Sequence, residues 1–153
     1  MNELVEIAGF LKTARRRMRY GKFSRLPVEL MRLEWKGRGV ECDWLMRPAD
    51  PWDRDLPRHI AEEHETLQAL CDAMTLRDAV FASFPDVATA ELRMFRIDAE
   101  QRHELMMTGT VHRSNETLRR VVSIAMRARL CGFQFTLTEG VLKSMSPVSV
   151  GCS

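Results

Sequence analysis

Lys12, Arg15, Arg16 and Arg19 recur at the three- and four-residue spacing of a single helical stripe. They are the side chains in this chain best arranged to do chemistry. Arginine binds phosphate with a two-pronged donor geometry, so a row of this kind suits an anionic partner such as nucleic acid. Arg17, Lys22 and Arg25 add charge nearby, and Tyr20 and Phe23 add aromatic surface. Residues 1–27 carry seven Lys and Arg against two Glu, although the whole chain has a net charge of only +2. The same stripe suits an anionic membrane surface if Leu4, Leu11 and Met18 are buried in it.

The histidines are the next candidates. His59 and His64 lie in an acid-rich stretch with Glu62, Glu63 and Glu65, close to the zinc-peptidase pattern of two histidines four apart. Here they are five apart, about 140° around a helix, so they diverge. His64 falls between Ile60 and Leu67 on an apolar stripe, which marks it as a buried histidine with one polar partner. His103 and His112 are nine residues apart on one expected strand, an odd separation that places them on opposite faces unless a bulge intervenes near Gly109. His112 precedes Arg113 and Ser114, where a substrate or anion contact is conceivable. His64, His103 and His112 are thus pocket candidates, and no metal site is expected.

Other chemistry is poorly supported. Asp50, Asp53 and Asp55 surround Trp52, but calcium-loop spacing is absent, and Asp55 is read instead as a helix cap. Gly21-Lys22 is followed by Phe23, which excludes a Walker loop, and Gly37 and Gly39 lie in a hairpin turn rather than between strand and helix. There is no GxSxG elbow. No cofactor is implied, and an enzyme is disfavoured.

These side chains need elements to position them. A chain of 153 residues with 45% apolar and 29% charged composition suits a single domain spanning 1–153. Leu4, Ile7, Leu11, Ala14 and Met18 predict a basic amphipathic helix within 1–21, ended by Gly21. Alternation predicts a hairpin around Lys36–Gly39, with Met31, Leu33 and Trp35 on one face of the first strand and Val40, Cys42, Trp44 and Met46 alternating with Glu41, Asp43 and Arg47 on the second. A proline-rich loop follows, then a helix over about 56–74 with Ile60, His64, Leu67, Cys71 and Met74 inward, and a short second helix from Thr75. A second hairpin covers Thr89–Ile97 and Arg102–His112. A third helix capped at Ser114 or Asn115 carries Leu118, Val121, Val122 and Ala125, and a last strand covers Phe133–Thr138. Residues 144–153 read as a flexible tail.

The resulting fold class is α+β in the order α-ββ-α-ββ-α-β, with an antiparallel sheet of about five strands and two to three helices on one face. Glu29-Leu30-Met31-Arg32-Leu33 and Glu91-Leu92-Arg93-Met94-Phe95 both open a hairpin, consistent with an internal ββα duplication. Trp44, Leu67, Leu105 and Val122 are expected in the core. No run approaches the roughly 20 apolar residues of a membrane span. Cys42, Cys71, Cys131 and Cys152 are scattered without a disulfide framework, which suits the cytoplasm. The leading functional expectation is a non-enzymatic module that binds an anionic partner, nucleic acid among the candidates, through the first helix. Its rival is a homo-oligomeric domain, a homodimer for instance, with a small-molecule or catalytic pocket between sheet and helices.

Overall fold

A computed structural model describes residues 3–18, 27–48, 55–113 and 123–145. Helix α1 (Glu3–Met18) is followed by the hairpin β1 (Glu29–Lys36) and β2 (Gly39–Leu45), in which Gly37 takes the left-handed φ of 59° that the tight turn needs. The long helix α2 (Arg58–Ser83) then crosses to a second hairpin, β3 (Thr89–Ile97) and β4 (His103–His112). Helix α3 (Ile124–Cys131) leads to β5 (Phe133–Gln134), and a small separate hairpin, β6 (Thr136–Thr138) with β7 (Val141–Lys143), closes the described chain.

The α+β class and the element order agree with the sequence reading. The sheet itself, ordered β1-β2-β3-β4-β5, is mixed rather than purely antiparallel: β2 and β3 run parallel. The reason is α2. A helical crossover returns the chain to the end of the sheet from which β2 started, so the second hairpin enters parallel to the first. Each hairpin leads into a helix, but α2 has 26 residues and α3 only 8.

Alternation sets the inner face of the sheet. Trp44, Met94 and Met107 form one cross-strand row, and Val40, Ala90 and Val111 another, all at 2% exposure or less. Met106 has no partner in the β3–β4 register, so a bulge forms there and both Met106 and Met107 are buried. Gly109 has a different task. A Cβ at this position would lie 2.4 Å from the carbonyl oxygen of Gly132, which caps α3 at φ 115°. Two glycines therefore let β4 and the end of α3 meet backbone to backbone.

Helices α1 and α3 both pack on α2. Helix α1 lies antiparallel to α2: the Phe10 ring is 5.4 Å from that of Phe84, whereas the Met18 carbonyl shares Arg47 with Asp72. Phe10, Ala14 and Met18 are its buried positions. Helix α3 contacts β5, at the opposite edge of the sheet from β1.

Several expectations on α2 and α3 need correction. Helix α2 is continuous through Thr75, and the residue before its first turn is Pro57, with no side-chain cap from Asp55. Its inward residues include Ala69, Ala73, Leu76 and Val80, while Ile60 is 38% and Leu67 is 37% exposed. The stripe expected to face inward is thus partly exposed, although Met74 at its end packs against the core. With α1, α3 and β7 packed around it, α2 is buried through a wide arc that takes in the polar Thr66, Gln68, Asp72 and Arg77. Leu105 is half-buried on the outer face of the sheet, and Val122 lies outside the described residues, so of the four expected core residues Trp44 alone is placed there. Helix α3 begins after Ser123, whose extended backbone and side-chain bond to the Met126 N–H make it the cap. The expected caps at Ser114 and Asn115 lie outside the described residues.

Candidate functional site

Buried ionic contacts fix the position of the basic helix. Arg47 and Asp72 are both almost completely enclosed, with side chains 1% and 4% exposed. The Arg47 guanidinium donates to both Asp72 oxygens, from Nε at 2.7 Å and from Nη2 at 2.5 Å, and Nη1 donates to the Met18 carbonyl at 2.7 Å. Gln68 adds a further donor to Asp72 at 2.8 Å. Burial raises the Asp72 carboxyl above its ordinary value despite the opposing pull of Arg47. One arginine thereby joins β2, α2 and the last turn of α1, and its bond to Met18 satisfies a carbonyl that a helix end leaves open.

The opposite side of α1 is different. Lys12, Arg15 and Arg16 are exposed there, Arg17 is exposed on the flank next to Phe10, and none of the four forms an ion pair with an acid among the described residues. Two acids in the first turns of α2 are engaged with other groups: Glu62 with Arg58 at 3.5 Å and Glu63 with His59 at 2.7 Å. Three of these cations occupy the last turn of α1, where the helix dipole favours positive charge. Arg19 lies outside the described residues. Beside the stripe, Leu11, Ala14 and Arg15 face Val28, Glu29 and Leu30 across a groove of about 390 Å³. Helix α3 does not continue this face, because α2 stands between it and α1. Of its cations, Arg129 lies 4.2 Å above the Phe135 ring, and Arg119 and Arg120 are outside the described residues.

The histidines are not brought together. His64 lies half-exposed on α2. The bulge at Met106, rather than one near Gly109, places His103 and His112 on the same outer face of the sheet, since they pair with Ile97 and Thr89. They remain at opposite ends of β4, about 30 Å apart along the strand. The His103 ring sits edge-on to Phe95 at 6.3 Å. At the other end, Arg113 donates to the carbonyls of Phe81, Phe84 and Val87, and Arg77 donates to the His112 carbonyl. The arginine next to His112 therefore closes the end of α2 and is not available to an anion. Among the described residues, no three His, Cys, Asp or Glu side chains gather into a possible metal site.

Two further features escaped the sequence reading. The outer face of the sheet carries an ionic network in which Asp43 receives Arg32 at 3.1 Å and Arg93 at 2.7 Å, while Glu41 receives Lys36 and Arg32. Bonds from Lys36 and then Arg32 hold the Glu41 carboxyl down to about 2. The other feature is a cavity of about 410 Å³ at the end of the sheet, with Leu45, Met46, Glu29, Glu65, Arg96 and Ile97 in its wall. No spacing in the sequence marks it, because its residues come from β1, the end of β2, α2 and β3.

No protein-family model, curated protein or solved structure matches this chain.

Proposed function

We propose that the protein is a non-enzymatic interaction module that holds a polyanion, a nucleic-acid backbone, on the exposed face of α1. The observation that supports this most is the division of labour around that helix. Its apolar side is docked through Phe10, Ala14 and Met18, and its outer side presents Lys12, Arg15 and Arg16 without acidic partners among the described residues. A helix whose apolar stripe is occupied by α2 has little left to insert into lipid. Phosphates, which need only cationic donors at the surface, suit it better than a bilayer. Such contacts position a polynucleotide without reading its sequence. A reducing, cytoplasmic setting fits the free thiols of Cys42 and Cys131.

The test is a salt titration of binding to a mixed-sequence duplex oligonucleotide, followed by fluorescence anisotropy. Each neutralised phosphate contributes about −0.9 to the slope of log K against log salt. Replacing Arg15 and Arg16 together by Gln should therefore flatten the slope by up to about 1.8, with the fold retained because neither residue is buried. A slope unchanged by the double substitution, or no binding at low salt, overturns the proposal. Binding to anionic vesicles without binding to the oligonucleotide would assign the stripe to a membrane surface instead.

A further inference from the structure

The cavity at the end of the sheet has a lining that selects its contents. Its wall is mainly apolar, from Leu45, Met46, Ile97 and two prolines, and its volume of about 410 Å³ falls in the range of small-molecule sites. Four charged residues also line it. The two cationic ones are already engaged: Arg47 is enclosed by Asp72 and the Met18 carbonyl, and Arg96 donates to Glu104 at 2.8 and 3.3 Å. The two acidic ones are not. Neither the Glu29 nor the Glu65 carboxylate has a hydrogen bond or ion pair among the described residues, although Arg96 acts on Glu65 at longer range. Glu65 projects from the first half of α2 and is partly enclosed, and burial raises its carboxyl above the ordinary value. A half-buried carboxylate without a donor is costly, and a ligand that brings one removes that cost.

We propose that this cavity binds an amphiphilic organic cation, with its apolar body against Leu45, Met46 and Ile97 and its ammonium group donating to Glu65. An alkyl carboxylate would have to compete with Glu104 for Arg96 and would meet Glu29 and Glu65 as like charges. An uncharged alcohol of the same length would bury the same chain but leave Glu65 with a weaker partner. The site is separate from the exposed face of α1, so this inference stands or falls apart from polyanion binding.

The experiment is calorimetric titration of the whole chain at neutral pH with n-octylammonium, n-octanoate and n-octanol, each kept below its aggregation concentration. Octylammonium should bind at one site per chain and more tightly than the other two. Glu65→Gln should weaken it by about ten- to a hundredfold, the worth of a hydrogen bond to a charged group, and should leave octanol nearly unaffected. Ile97→Trp, at a position 44% exposed and so tolerant of a larger side chain, should fill the cavity and abolish octylammonium binding. Circular dichroism of both variants checks that the fold is intact. The proposal is overturned if octanoate binds more tightly than octylammonium, if none of the three saturates, or if either folded variant binds octylammonium as the parent does.

Discussion

Removing the Asp72 carboxylate tests the buried pair that holds α1 in place. In Asp72→Ala the Arg47 guanidinium loses the carboxylate that accepts from its Nε and Nη2 groups, with its side chain still 1% exposed. An uncompensated charge left in such a place costs about 3–5 kcal/mol, a large part of the roughly 5–15 kcal/mol that holds a domain folded. At about 2–4 °C per kcal/mol for a domain of this size, the melting temperature should fall by about 6–20 °C. The assay is thermal and urea unfolding, read by circular dichroism and by tryptophan fluorescence. Arg47→Met combined with Asp72→Leu should recover most of the loss, because an apolar pair avoids the desolvation that the ionic pair suffers. Asp72→Ala within about 0.5 kcal/mol of the parent would refute the reasoning, since a surface substitution behaves that way and a buried pair cannot.

Three other outcomes follow from the geometry. Glu41, held at about 2 against an ordinary 4.5, contributes stability that is present above pH 4.5 and lost as pH falls toward 2. Urea unfolding at pH 5 and pH 3 should therefore show a smaller acid loss in Glu41→Gln than in the parent, and equal losses would contradict the network. Leu70→Ala, at 1% exposure, should cost about 2–5 kcal/mol by urea unfolding, whereas Leu67→Ala, at 37%, should cost under about 1 kcal/mol. A reversal of that order would mean α2 is rotated. Burial raises the Cys42 thiol to about 12, so in native protein it should resist iodoacetamide at pH 8 and react only after unfolding, as peptide mass mapping would show.

What the sequence revealed of the fold was what single elements encode. Alternation from Val40 to Met46 identified β2, and the glycines after Lys36 identified the turn, because strand pleat and turn geometry are local. The parallel join of β2 and β3 was not legible. It depends on where α2 crosses, and α2 was read as two shorter helices because Thr75 and Asp78 resemble a cap. Its orientation was misread for a related reason. Ile60, His64, Leu67, Cys71 and Met74 have helical spacing, but so do Ala69, Ala73, Leu76 and Val80. With several neighbouring elements around one helix, apolar spacing alone does not say which side faces the sheet.

The candidate sites divide along the same line. The stripe of Lys12, Arg15 and Arg16 was legible because one helix carries all of it, and exposed charge needs no partner from elsewhere in the chain. The sheet-end cavity had no sequence signature, since Glu29, Glu65 and Arg96 are separated by dozens of residues and meet only when the mixed sheet brings β1, β2 and β3 under α2. Arg47 failed for the opposite reason. Alternation placed it with Glu41 and Asp43 on a solvated face, yet it lies just beyond the last residue of β2, where strand parity ends. There the chain passes beneath α2, and Asp72 supplies the carboxylate that lets Arg47 be enclosed. A polar residue at the end of a regular element is thus placed by its partner rather than by its period. For this chain, that partner is what ties the basic helix to the sheet.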